Sequence, residues 1–172
     1  LPISFNAWEY GWENNREELK DNSLKIFDSY LKNGFTPAGF FKEFVNLNRG
    51  FEEPVHSIRR QSEGIYAMLH FLAYEKEQGR KHPEWEQRVK QMFEMFLKLQ
   101  NADGSFPRKF RDDFTIVDKS GGSTPSATLP LVMGYKYFKD KRYLASARKT
   151  AEYLEKELIS KADYFSSTLD AK

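Results

Sequence analysis

Three short stretches concentrate the side chains that can move protons or hold a hydroxylated ligand. The first, residues 56–64, reads HSIRRQSEG and sets His56, Arg59, Arg60, Gln61 and Glu63 against the start of an apolar run. A carboxylate there acts as a general acid or base when burial raises its pKa. The plainer alternative is a Glu63 that favours a helix start and pairs with a neighbouring Arg. The second, residues 110–128, reads FRDDFTIVDKSGGSTPSAT and carries Asp112, Asp113 and Asp118. Gly121-Gly122 lets the backbone come close to a ligand, and Ser123 or Thr124 can cap a helix that begins at Pro125. For any single Asp, a solvated acidic loop with Arg108 and Arg111 as counter-ions is the simpler account. The third, FNAWEYGWEN at 5–14, interleaves Trp8, Tyr10 and Trp12 with Glu9 and Glu13. Indole faces stack on flat ligands such as sugar rings while carboxylates bond hydroxyls, and a hydrophobic lid uses the same residues.

Such groups need a scaffold, and the hydrophobic pattern supplies a helical one. Residues 14–33, 84–100 and 141–160 each carry one apolar stripe on an otherwise charged surface, as in Trp85, Val89, Met92, Phe93, Phe96 and Leu99, or Leu144, Ala147, Ala151, Leu154 and Leu158. Residues 64–74 and 129–138 are apolar almost all round, which predicts helices surrounded by protein. The expected order is outer, inner, outer, inner, outer. Period-two alternation occurs only near 35–45 and 105–117, enough for a small hairpin within a loop. His70 falls in an inner helix, where a lone His is a core residue more often than a ligand.

Composition narrows the function. With 172 residues, 40% hydrophobic and 30% charged, the chain is a globular domain with a real core. Its net charge of +2 has both signs interspersed, which gives no footing for nucleic acid or a membrane surface. There is no Cys, the three His have no metal-ligand spacing, and Gly121-Gly122 is not followed by the Lys of a phosphate loop, so no metal or cofactor is expected. The chain starts at Leu1, which leads us to expect that a leader or longer N-terminal region has been removed.

The segments that follow the outer helices echo one another: NGFTPAGFF, NADGSFPRKF and ADYFSSTL. Gly34 to Gly104 is a step of 70 residues, a period that belongs to repeat architectures. Phe96, Gln100, Gly104 and Phe106 resemble the Gln–Gly–aromatic clasp of the (α/α)-toroid superfamily, with Phe106 where Trp is commoner. In this reading Gln100 bonds backbone groups freed at the helix end, Gly104 permits the reversal and Phe106 pins the loop on the core.

The resemblance implies an all-α fold of helical hairpins closing around an axis in a ring of about six. This chain would supply about two and a half of them, as a single domain over 1–172 that is a fragment or is completed by another segment or chain. The terpenoid-cyclase branch is disfavoured because Asp112-Asp113 has no third Asp at the right spacing, and the prenyltransferase branch because there is no Cys for zinc. What remains is similar to the six-hairpin glycosidases and polysaccharide lyases, and implies a carbohydrate substrate, hydrolysis ahead of elimination, and a secreted or periplasmic location. Glu63 with Asp112 or Asp113 would be the catalytic carboxyl pair across the glycosidic bond. Trp8, Trp12, Arg59, Arg60, Arg111, Ser123 and Thr124 would bind the substrate. A lyase would instead set an Arg on the sugar carboxylate and use Tyr66 or His56 for proton transfer. A noncatalytic module that binds glycan or protein on its concave face is the reading from a different class.

Overall fold

A computed structural model describes residues 1–46 and 48–161. Six α-helices carry the chain: α1 Pro2–Glu13, α2 Glu17–Asn33, α3 Ile58–Glu77, α4 Pro83–Leu99, α5 Pro125–Phe138 and α6 Lys141–Tyr153, the last running on into a π-helical segment over Leu154–Ile159. They pack in pairs, α1 on α2, α3 on α4 and α5 on α6, while α1, α3 and α5 also touch side by side. The row α1–α3–α5 is the inner one. Trp8 shows why α1 belongs to it: the indole is fully buried and meets Phe71 and Tyr74 of α3 edge-on at 5.2 and 4.7 Å. The aromatic cluster at 5–14 is thus a helix packed on α2, the first outer helix, as the lid alternative expected, and on α3 as well. No described helix is long and apolar enough to cross a membrane.

The outer stripe expected for α4 is buried in full. On α6 the buried face is Tyr143, Ser146, Ala147 and Thr150, while Ala151 is exposed. The apolar periodicity is overridden by a polar fit: the Gln100 amide donates to the Ser146 carbonyl at 3.0 Å and accepts from the Ser146 hydroxyl at 2.8 Å. It also donates to Thr150 Oγ1 at 3.0 Å and to the Gly104 carbonyl at 3.1 Å. Gln100 therefore clasps the next hairpin as well as its own loop. Phe106 is fully buried, as a pin on the core should be.

The loop after α2 repeats this turn. Thr36 and Gly39 make the same backbone bonds (Thr36 N–H to Phe40 C=O, Gly39 N–H to Thr36 C=O) as Asn101 and Gly104 make to Ser105 and Asn101. The glycine that matches Gly104 (φ +92°) is Gly39 (φ +94°), not Gly34, so the repeat is shorter than the Gly34–Gly104 step. In both copies a side chain at the start of the inner helix holds the backbone of the buried aromatic. Gln61 donates to the Phe41 carbonyl and accepts from the Phe41 N–H, both at 2.9 Å. Thr124 Oγ1 accepts from the Phe106 N–H at 2.9 Å. The third echo, at 162–169, lies outside the described residues.

Between the turns and the inner helices the chain forms strands at one end of the helices. β1 Val45–Asn46 pairs with β2 Phe51–Glu52, and β3 Val55–Ser57 joins β4 Lys109–Arg111 and β5 Ile116–Asp118 in an antiparallel sheet ordered β3-β4-β5. The register sets His56 opposite Phe110 and Ser57 opposite Lys109, tying the two loop systems together. At the other end, buried Glu75 accepts from Arg80 at 2.8 and 2.6 Å and contacts His82 Nε2 at 2.7 Å. Burial opposes its charge, but the hydrogen bonds of Arg80 and His82 outweigh that and hold its pKa below the ordinary value.

A Cβ on Gly104 would stand 2.1 Å from the Lys149 carbonyl oxygen, whereas one on Gly39 meets only side-chain tips at 3.7 Å or more. Gly104→Ala is expected to cost about 3 kcal/mol or more and Gly39→Ala about 1–2, read by denaturant unfolding. Glu75 has a depressed folded pKa, so its contribution is complete above about pH 4.5 and lost as pH falls through the folded value. Glu75→Gln should cost about 1–3 kcal/mol at pH 7, with the gap to the parent closing in acid, as pH-resolved unfolding will measure.

Candidate functional site

The start of α3 and the sheet enclose a cavity of about 300 Å3 lined by Glu43, Glu53, His56, Ser57, Arg59, Arg60, Arg108, Lys109 and Ser123, with Val55 and Val117 as its apolar part. Each polar group is set by an element already described. Ser57 is the N-cap of α3, its hydroxyl accepting from the Arg60 N–H. Glu43, whose side chain is 3% exposed, turns back over that helix start. It accepts from the Ser57 N–H at 2.5 Å, the Ser57 hydroxyl at 3.2 Å, Arg60 Nη1 at 3.4 Å and Gln61 Nε2 at 3.0 Å. A buried carboxylate at a helix N-terminus is stabilised both by those donors and by the helix dipole.

Arg108, nearly buried, reaches Asp118 at 3.1 Å. Burial works against ionised Asp118, yet the N–H and hydroxyl of Ser120 and the Arg108 guanidinium together hold its pKa below the carboxylate range. Lys109 and Glu53 line the same cavity, and neither has an ion-pair partner among the described residues.

Behind this wall His56 is buried against Phe40, stacked at 5.2 Å, with Phe110 at 5.7 Å. Its Nε2 lies 2.7 Å from Asp112 Oδ1, which also accepts from the Thr36 hydroxyl at 2.8 Å. The buried Nδ1 on the other side of the ring has no hydrogen-bond partner among the described residues. Asp112 thus joins the first turn, β3 and the loop after β4 at a single oxygen.

The structure divides the residues singled out from sequence. Arg59, Arg60 and Ser123 come together in the cavity. Glu63 does not: it is half exposed, 3.7 Å from Arg59, and borders a separate apolar hollow with Tyr66, Leu129 and Pro130 that neither Asp112 nor Asp113 borders. Asp113 is fully exposed and caps its own turn, and the Thr115 backbone N–H and hydroxyl keep its pKa below the carboxylate range. Arg111 is exposed in the same turn.

Three residues expected to touch substrate are spoken for by packing. Thr124 is fully buried, its hydroxyl committed to Phe106 and not to capping α5. Trp8 has no exposed face. Trp12 is covered by the Lys20 ammonium at 4.1 Å and the Arg80 guanidinium at 4.4 Å. Glu43, Glu53 and Lys109 escaped the sequence reading because no local motif marks them; only the β3–β4 register brings 43–57 against 108–110. Among the described residues no group of three or more acidic or His side chains could hold a metal ion.

No family model matches the chain. Among solved structures it is similar to the cellobiose 2-epimerase of Bacillus thermoamylovorans, with a TM-score of 0.72 and 18% identity over 89% of this chain and 39% of that one. It is also similar to a sugar epimerase from a ruminal bacterium, with a TM-score of 0.63 and 21% identity over 90% of this chain and 40% of that one. The chain therefore spans 39–40% of the length of these structures. At this identity the likeness is one of fold, and it agrees with the toroid-like arrangement of helical hairpins expected from the sequence.

Asp112→Ala leaves the His56 Nε2 and the Thr36 hydroxyl unpaired and should cost about 1–3 kcal/mol in chemical denaturation. Asp113→Ala, which removes only an exposed turn cap, should shift the same curve far less.

Proposed function

We propose that the protein is a carbohydrate-active enzyme of the toroid type, or part of one, with the cavity at the start of α3 as a sugar-binding wall. The observation that carries this is the cavity's construction: charged and hydroxyl side chains from α3, β4 and two loops converge on one space where the inner helices begin. Inner helices begin at a mouth in such folds, and sites there are assembled from loops on a rigid scaffold. Arg59 and Ser123 line this space and would meet the polar groups of a sugar there. Glu53, an ionisable acid without a charged partner among the described residues, is the candidate acid–base group on this wall.

The reaction we favour is proton transfer at the carbon next to a sugar carbonyl. Both named neighbours are epimerases, and that support is stronger than what hydrolysis has, because Glu63 borders a hollow whose described lining includes neither Asp112 nor Asp113. In such a reaction a base takes the α-proton and an acid returns one to the opposite face, so the sugar changes configuration with no bond to another sugar broken.

Incubation of the protein with mono- and disaccharides in D2O separates the possibilities. The expected outcome is deuterium at the carbon next to the carbonyl, read by NMR, without new reducing ends. New reducing ends would restore hydrolysis and unsaturated products would point to elimination. Sugar binding with no turnover would mark a binding module.

A further inference from the structure

We infer that the mouth cavity selects a sugar acid, a single ring bearing a carboxylate, over a neutral sugar. This rests on the reading of the cavity as a sugar site and sharpens it. Four cationic and two acidic side chains line the space, and the pairs already made decide which of them meet a ligand. Arg108 is held by Asp118 and Arg60 by Glu43. Glu43 has spent its acceptor capacity on Ser57, Arg60 and Gln61.

What remains is Lys109, which has no carboxylate partner among the described residues, and Arg59, whose contact with Glu63 is long and half exposed at 3.7 Å. Opposite them stand one acid, Glu53, and the Ser123 hydroxyl. Two cations suit a single carboxylate, and Glu53 and Ser123 suit ring hydroxyls. The two cations share a neighbourhood by construction. Lys109 faces Ser57 across the β3–β4 register, and Arg59 follows Ser57 by two residues in the first turn of α3.

Phosphate is the competing anion, and the helix start argues against it. A phosphate at a helix N-terminus is cradled by free backbone N–H groups. Here the Ser57 N–H goes to Glu43, the Ile58 N–H to the Arg108 carbonyl and the Arg60 N–H to the Ser57 hydroxyl. Three N–H groups of that start are thus taken by the protein, one of them by Glu43, and a dianion beside Glu43 would meet like charge. A volume of about 300 Å3 is at the small end of ligand sites, which fits one ring better than a chain.

The test is calorimetric titration at pH 7 of the protein with glucuronate and galacturonate, their neutral parents glucose and galactose, and glucose 6-phosphate. One of the two uronates is expected to bind about tenfold tighter than its neutral parent, as one desolvated charge-assisted contact allows. Lys109→Met should erase that preference, and Lys109→Arg should keep it. Lys109→Gln serves if the Met variant fails to fold. Neutral sugars binding as tightly as both uronates, or a preference for glucose 6-phosphate, would overturn the acid selectivity and leave the sugar site standing. Failure of every sugar to bind would overturn both.

Discussion

A chain that leaves an outer helix, reverses and buries an aromatic under the next inner helix must satisfy the backbone groups it takes into the core. Buried peptide groups without partners cost about 1–3 kcal/mol each, so the reversal is possible only where a side chain waits to receive them. Gln61 meets both the N–H and the carbonyl of Phe41, and Thr124 meets the N–H of Phe106. The rest follows from these two anchors. They fix where α3 and α5 begin, and hence where the strands emerge and which side chains face the cavity.

The same anchors explain how much was legible in the sequence. α4 was readable because its stripe answers to hydrophobicity alone and its six apolar residues are all buried. α6 was misread in its face because Ser146 and Thr150 are buried to serve the Gln100 amide, and no hydropathy scale scores that fit. α1 stays open in the sequence between a ligand platform and a packed lid, because exposed and buried indoles share a composition; Phe71 and Tyr74 of α3 distinguish them. The strand β3 has three residues, too few to show alternation.

The candidate site shows the same division. Arg59, Arg60 and Ser123 sit at helix starts, and helix starts are visible in sequence. Glu43, Glu53 and Lys109 depend on long-range register and are not. Asp112 was singled out as a catalytic acid, yet its oxygen is held between Thr36 and His56, where it joins two loops. Carboxylates that shape a site and carboxylates that react in it look alike until their partners are known.

Gly104 sets more than a turn. Its Cα lies so close to the α6 backbone that a methyl group has no room there, and the Gln100 amide fastens the same place from the other side. The outer helices α4 and α6 are thereby held at one fixed spacing, while the inner helices α3 and α5 lie directly against each other. An arc bends according to the difference between its outer and inner spacing. On the outer side of this packing, that spacing is gauged by the absence of a single carbon at Gly104.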